Sequence, residues 1–530
     1  MDTISLEKRK TMVMMSETLK NFLMDRENFD LKSLDTEKLH PRYREKTIEE
    51  LSSTSFLLSS MKSIDSDCIE EISKLILDTD LIYQLKRHLE ETFLRGGRVF
   101  LCGYGSSGRM GLLLEFLWRN IMAKGEASEE LLVSFMGGLD QGAFSVFSNL
   151  EDSEEEGAKD LKEKGFRKGD LVIGLSEGGE TNYVIGALKE AVKESYEEDY
   201  HCHHFFLFCN KESVLYTTAP RLKEILTMDR VVRIPLFVGP MSIMGSTRLQ
   251  ASTALLTYLV FVFRHLYLSE EEFSLFIKNE INKLKEGINI LGKNLGPLVE
   301  CLIQKAKSHK GLVFNLTGSS EDLQVMTILD VFEQVATFHL SPPFNKNIPI
   351  KRPFNVSLSL KGEKSLGKKL ESLMKRKASF PSKDYEEKFY SYEMSHQSYA
   401  ENFVSFLFLE KGNIEVSVGK DRFEFHLPTQ TNPSTKQIFL KIFFNTIFSA
   451  VWANVTCMAG NFTTSIRPLN FKLTDRIIRI VRMMRPKLKL TDEEMAKRIF
   501  SFYEEKYLKE KDLFEKENFV DSFLKNSTFS

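Results

Sequence analysis

The chain has no excess of charge of either sign. Its 530 residues hold 72 Lys plus Arg against 74 Asp plus Glu, a net charge of −2. A protein that binds nucleic acid needs a basic face, and this balance gives no footprint for one. Cysteine is scarce. The six residues, Cys68, Cys102, Cys202, Cys209, Cys301 and Cys457, have no paired spacing. That excludes a disulfide framework and fits a reducing cytoplasm, with cysteine used as a small apolar residue. No long hydrophobic run exists. The longest is 254–263 (ALLTYLVFVF), ten residues. It is too short to span a bilayer and predicts a buried helix, so no membrane association is expected. The opening MDTISLEKRK is polar and of mixed charge, which predicts no signal peptide. Tryptophan occurs twice and phenylalanine 42 times, a bias with no functional reading.

What remains is an ordinary globular balance of 42% hydrophobic and 28% charged residues. The length suits about three or four domains of roughly 100–200 residues each. Residues 1–90 read as an amphipathic helical arm, with apolar Leu51, Phe56, Leu57, Met61 and Ile64 near helical spacing. Ser63 and Asp65 are candidate caps before a helix over 68–77. From 91 to 268 short apolar runs alternate with helical stretches. Strands are expected at 98–102, 131–135, 171–175, 205–209 and 231–235, with helices over 110–123 and 183–194. This predicts an α/β fold, a doubly wound parallel sheet with right-handed crossovers and a ligand crevice at the carboxyl ends of its strands.

Residues 269–435 begin with a helix to about 307. A strand at 311–316, a Gly-Ser loop (TGSSEDL) and another helix follow. The order repeats that of 98–123 and predicts a second, degenerate copy of the first domain. The copy departs later, with antiparallel strands at 403–409, 414–418 and 423–427. Residues 345–400 are rich in Lys, Ser and Pro and read as a long loop. Residues 436–530 return to helix with a charged tail.

Two loops carry the chemistry. Gly103-Tyr104-Gly105-Ser106-Ser107-Gly108 and Ser176-Glu177-Gly178-Gly179-Glu180-Thr181 each close a strand of the same sheet, directly before a helix. A phosphoryl group wants several hydrogen-bond donors. Backbone amides at a helix start, uncrowded by glycine, and Ser or Thr hydroxyls supply them. Neither loop fits GxGxxG or the Walker pattern, which disfavours a dinucleotide or ATP. Glu151 opens an acidic run, 151–156, whose bland reading is compensation of a helix dipole on a solvated face. His201-Cys202-His203-His204 has metal-ligand chemistry, but strand alternation sends His203 and His204 to opposite faces, so no metal site is expected. The basic clusters 305–310 and 375–377 read as solvated surface.

The segment 97–111 (GRVFLCGYGSSGRMG) resembles the signature of the N-acetylmuramic acid 6-phosphate etherases and of the glucokinase regulatory protein. Residues 147–157, 172–187, 245–254 (GSTRLQASTA) and 469–476 (LNFKLTDR) resemble further segments of that family in order and spacing. Residues 36–51 resemble its N-terminal arm. The resemblance implies a sugar-isomerase (SIS) domain at 91–268, a degenerate SIS-like domain at 269–435 and a C-terminal helical lid and tail at 436–530. It implies that Gly105, Ser106, Ser107 and the amide of Gly108 hold the phosphate of a sugar. Ser176, Gly179 and Thr181 would complete the cradle, and Lys472 would fold over it. Gly178 stands where the wider pattern has a serine. Arg248 matches a family arginine, for which packing and ligand contact are equal readings.

For catalysis the family needs two carboxyl groups, one as base and one as acid on the leaving lactate oxygen. Glu151 matches one. The other falls at Leu117, and Glu115 lies roughly 200° round the helix from it. Met241 and Gln250 replace a family glutamate and lysine. Three expectations follow. The first is a regulatory-protein-like sugar-phosphate sensor, with a sugar kinase as partner by analogy. The second is an enzyme, a carbon–oxygen lyase or an aldose–ketose isomerase, with Glu151, Glu177 or Glu180 as base. The third is a scaffold with a fossil pocket. No cofactor is implied, and fusion of two copies leaves monomer and homodimer both open.

Overall fold

The computed structural model describes most of residues 31–527. Outside the described residues lie 1–18, 25–30, 145–149, 196–202, 316–318, 332–354, 360–364, 392–402, 409–412, 510–518, 528–530 and a few shorter stretches. Cys202, Cys457 and His201, and the head of the second Gly-Ser loop, fall there.

The first sheet has five parallel strands: β1 (Val99–Gly103), β2 (Leu132–Met136), β3 (Leu171–Ser176), β4 (His204–Phe208) and β5 (Val231–Pro235), in the order β2-β1-β3-β4-β5. The expected positions hold to within a residue or so. Alternate residues feed two separate cores. Val99, Leu101, Ile173, Leu175, Phe205 and Leu207 point to one. Phe100, Cys102, Val172, Phe206 and Phe208 point to the other. A strand buried on both faces reads as a continuous apolar run, which is why these segments stand out.

The helices in chain order are α1 (Thr54–Asp78), α2 (Leu81–Leu94), α3 (Gly105–Leu117), α4 (Glu154–Glu163), α5 (Asn182–Glu194), α6 (Gln250–His265), α7 (Glu270–His309), α8 (Leu366–Met374), α9 (Lys383–Ser391), α10 (Pro433–Val455), α11 (Phe471–Met484), α12 (Asp492–Lys509) and α13 (Phe519–Asn526), besides several short turns. The apolar run 254–263 is buried along its length in α6, as expected. Among the described residues one helix, α10, is long and apolar enough to cross a membrane. It packs inside the protein.

Four expectations are corrected. Ser63 and Asp65 cap nothing: α1 runs through both, and Asp65 is buried, accepting from Gln250 Nε2 at 2.6 Å. Helix α3 starts at Gly105 rather than Met110, so the Gly-Ser residues form its first turn. The stretch 345–400 is not one loop, because it contains a strand and the helices α8 and α9. Its residues Asp384 to Phe389 carry charge in place of the apolar stripe that would announce a helix.

The fourth correction concerns 375–377. Arg376 is not solvated. Its guanidinium meets Glu115 (Nε–Oε1 2.7 Å) and, with both terminal nitrogens at 2.9 Å, the carboxylate of Asp140. Arg119 Nε adds a contact to Glu115 at 3.0 Å, and Ser379 donates its amide to Asp140 at 2.8 Å. Glu115 and Asp140 are both buried, and the surrounding guanidinium and donor groups outweigh the burial that would raise their pKa values, so both are lowered. The cluster ties the α8–α9 segment to the first domain.

The second sheet has the order β10-β9-β8-β6-β7, with β6 (Gly311–Asn315), β7 (Asn355–Ser359), β8 (Phe403–Phe408), β9 (Ile414–Val418) and β10 (Asp421–Phe425). Strands β7 and β8 flank β6 in parallel, and β8-β9-β10 form an antiparallel meander. The expected hairpin is present, and the sheet as a whole is mixed.

Removing one member of a buried ion pair leaves the others uncompensated. Arg376→Leu is expected to destabilise the protein by about 3–5 kcal/mol in urea unfolding, whereas Lys377→Ala should fall within about 0.5 kcal/mol of the parent.

Candidate functional site

At the carboxyl ends of β1 and β3 lies a cavity of about 240 Å³. Its floor is the start of α3. Tyr104, in extended conformation, follows β1. Gly105 follows at φ +53°, a left-handed turn that glycine makes without penalty, and the helix begins there. Gly105, Ser106 and Ser107 line the cavity. Their amides are the first three of the helix, the ones without a partner one turn back. The amide of Gly108 is different. It donates to Tyr104 O at 3.3 Å, and Gly108 packs so close to Met136 that a Cβ would sit 2.5 Å from the Met136 Cβ. Gly108 is therefore a packing residue of the helix and its amide is already bonded.

The second loop divides in the same way. Thr181, Glu177 and Gly178 line the cavity. Ser176 is fully buried and does not. Its oxygen accepts the Gly179 amide at 3.0 Å and lies 2.9 Å from Thr181 Oγ1. Gly179, at φ +82°, makes the turn that lets this staple close. Ser176 and Gly179 shape the loop, and Thr181 presents it.

The roof comes from the far end of the chain. Asn470 caps α11, accepting the Leu473 amide at 2.9 Å, and its Nδ2 donates to Glu151 Oε2 at 2.8 Å. Lys472 lines the cavity and pairs with Glu180 at 2.5 Å. One turn on, Arg476 meets Glu37 at 2.6 Å, and Arg479 joins at 2.7 Å. Burial would raise the Glu37 pKa, but the two guanidinium groups and Lys472 hold it at about 2. Thr36, beside it, donates its amide to Asn210 Oδ1 at 3.1 Å, and Asn210 donates to Gly178 O at 2.8 Å. The N-terminal arm thus braces both the lid helix and the second loop.

Glu151 does not belong to the dipole-compensating run. Helix α4 begins at Glu154 with Ser153 as cap, and Glu154, Glu155 and Glu156 occupy its first turn. Glu151 precedes the cap and lines the cavity. Its pKa is pushed up to about 7. Burial is the main cause, Asp152 and Glu180 add to it, and Lys472 and Arg476 oppose it. Lys472 shows the converse. Burial disfavours its charge, and Glu180, Glu151 and Glu37 outweigh that, so its pKa is raised.

Leu117 is buried in the apolar core, and Glu115 is held by Arg376 and Arg119, so neither lines the cavity. Met241 is core, and Gln250 bridges Asp65 and the Ser242 amide. Arg248 has the packing role and also borders the cavity. It lines the cavity while its guanidinium donates to Asn445 Oδ1 (3.3 Å) and Ser449 Oγ (3.4 Å) of α10. His204 is buried, and its Nδ1 accepts the Val172 amide at 3.1 Å. Sequence reasoning did not single out Tyr104, Asn470 or Arg476 as site residues. Asn470 and Arg476 lay inside the quoted 469–476 motif, which was the available signal.

Parallel β-strands feeding glycine-serine helix starts under a helical lid define an α/β protein of the SIS class. Comparison with known proteins agrees. Residues 80–192 match the family described as "Glucokinase regulatory protein N-terminal SIS domain". An N-acetylmuramic acid 6-phosphate etherase of Clostridium beijerinckii is 27% identical over 332 residues, covering 61% of this chain and 92% of that protein. N-acetylmuramic acid 6-phosphate etherase 1 of Bacillus licheniformis is 29% identical, covering 43% of this chain and 66% of that protein. The Bacillus subtilis enzyme is 32% identical, covering 31% and 47%. The chain thus spans about two thirds and about half the length of the last two. Among solved structures, the C-terminal domain of glucosamine-fructose-6-phosphate aminotransferase from Francisella tularensis aligns at TM-score 0.41 with 11% identity, over 79% of this chain and 99% of that one. Residues 80–192 thus carry a SIS domain similar to that of the glucokinase regulatory protein, and the chain is similar in sequence to the N-acetylmuramic acid 6-phosphate etherases.

A carboxyl group whose pKa rises on folding holds an extra proton in the native state. Its stabilising share is complete below the unfolded value near 4.5 and is lost as pH climbs through about 7. Glu151→Gln lacks that loss. Its stability relative to the parent should therefore rise by about 1–3 kcal/mol between pH 5 and pH 8, measured by urea unfolding at each pH.

Proposed function

We propose that this chain is a sugar-phosphate-binding protein that acts as a sensor rather than as an enzyme. Support for the ligand class comes from the α3 amides, Ser106, Ser107, Thr181 and Lys472 converging on one cavity. A cavity of about 240 Å³ suits a small metabolite and not a polymer. The observation that carries the sensor reading is Leu117. The carboxyl group that an etherase needs at this place is an alkyl side chain in the core, and Glu115 is locked into the Arg376 cluster. Elimination of lactate needs an acid and a base on the same sugar. Glu151, hydrogen-bonded to Asn470, supplies one, while Glu177 is held by Ser106 and Glu180 is paired with Lys472.

A sensor of this kind passes its ligand state to a protein partner. A sugar kinase is the partner by analogy with the regulatory protein that the first domain resembles. The cytoplasm is its proposed compartment, on the scattered cysteines. Cys68, Cys102 and Cys209 are free and buried.

A second reading has one observation in its favour. A carboxyl held near pH 7, as Glu151 is, suits general acid–base work. Under that reading the chain is a lyase or isomerase acting on a sugar 6-phosphate.

Thermal denaturation against N-acetylmuramic acid 6-phosphate, fructose 6-phosphate, fructose 1-phosphate and glucosamine 6-phosphate tests the proposal. A ligand at about 100 times its Kd should stabilise the fold by about 2.7 kcal/mol, and Ser107→Ala should abolish the shift. No shift with any of the four would remove the ligand class. Lactate release from N-acetylmuramic acid 6-phosphate, lost in Glu151→Gln, would replace the sensor by the enzyme.

A further inference from the structure

The phosphate cradle already holds an anion that belongs to the protein. Ser106 Oγ donates to Glu177 Oε2 at 2.7 Å, across the cavity floor from the first turn of α3 to the second loop. Glu177 is 6% exposed and lines the cavity. Its backbone is fixed on both sides. Glu177 O accepts the Cys209 amide at 3.0 Å, and Ser176, Gly179 and Thr181 staple the loop that follows. Only side-chain rotation can move the carboxylate. The first turn of a helix attracts negative charge, and a hydroxyl donating to a carboxylate makes a short, strong bond. The other acidic residue of the loop is engaged elsewhere, since the Glu180 carboxylate pairs with Lys472.

We infer that the Glu177 carboxylate occupies the phosphoryl position at the start of α3 and acts as a built-in competitor, so that Glu177 sets the affinity and phosphate selectivity of the site. This rests on the reading that the cavity takes a sugar phosphate. A phosphoryl group carries one to two negative charges near neutral pH. Placed beside a buried carboxylate it is repelled, and it also loses the Ser106 hydroxyl while Glu177 holds it. The ligand enters by turning Glu177 out. The affinity of the resting protein is therefore lower than its donors alone would give. Glutamine at 177 keeps the length and shape and removes the charge.

Calorimetric titration of the full chain tests this, with parent, Glu177→Gln and Glu177→Ala each checked for an intact melting transition. The probes are fructose 6-phosphate, inorganic phosphate and unphosphorylated fructose at one ionic strength. Both variants should bind the two phosphates about tenfold more tightly than the parent, a shift of about 1.4 kcal/mol. Their response to fructose should not change. If the parent binds fructose 6-phosphate and both variants bind it equally or more weakly, the inference is overturned and the sugar-phosphate reading stands. If the variants tighten fructose as much as the phosphates, charge competition is overturned. If parent and variants alike bind neither phosphate, the sugar-phosphate reading falls and the inference with it. Binding by the variants alone would be its strongest support.

Discussion

Closure of the crevice by helix α11 is the constraint on which the site depends. Asn470 reaches Glu151 and Lys472 reaches Glu180, contacts that span 319 and 292 residues of sequence. Neither pair would persist on a free surface, where such contacts give at most about 1 kcal/mol. Here each is part-buried and belongs to a network. Arg476 and Arg479, further along α11, clamp Glu37 of the N-terminal arm. The arm in turn bonds through Thr36 and Asn210 to the carbonyl of Gly178 in the second loop. Floor, roof and brace come from the two ends and the middle of the chain. The floor and the roof line the cavity, and the arm holds the roof in place.

This arrangement explains the electrostatics of the site. Three carboxylates, Glu151, Glu177 and Glu180, converge where an anion is expected, and they differ in their surroundings. Glu180 is neutralised by Lys472. Glu177 takes the hydroxyl of Ser106. Glu151 receives an amide hydrogen bond and stands further from the cations, so burial prevails and its pKa rises. At Glu151 itself burial raises the pKa and the charges of Lys472 and Arg476 oppose it, with burial the larger effect. The contrast with Glu37, held at about 2 by two guanidinium groups, shows how far the partners decide the outcome.

The first domain was legible because its strands are buried on both faces and its loops carry glycine at helix starts. Both are local signals, and five strands fell close to where periodicity put them. The roles within the loops were less legible. Ser176 and Thr181 belong to the same short motif, yet one turns inward to staple the loop and the other faces the cavity. Composition cannot separate them, because the difference lies in which way a left-handed glycine turns the chain. Arg376 was misread for a related reason. A Lys-Arg-Lys stretch looks solvated, and the buried Glu115 and Asp140 that draw the arginine inward lie more than 230 residues away. Glu115 itself was read correctly as unable to stand in for Leu117, since helix geometry alone settles which face it occupies.

The second half of the chain bears on the site through α10. This helix is apolar almost throughout, and its polar residues Lys441, Asn445 and Ser449 recur every four positions, which places them on one stripe. All three address Arg248. Lys441 Nζ donates to its carbonyl at 2.8 Å, and Asn445 and Ser449 accept from its guanidinium. Lys441 is itself fully buried and paired with Asp330 at 3.1 Å, so its charge is compensated. A buried lysine costs free energy unless such a partner is present. Asp330, in the segment after β6, therefore supplies the counter-charge that lets α10 carry a polar stripe through an apolar core. That stripe fixes Arg248, one of the arginines lining the cavity, just before the start of α6. Fusion of a mixed second sheet to the parallel first one is thus tied to the geometry of the site even though, among the described residues, the second sheet contributes none to its lining.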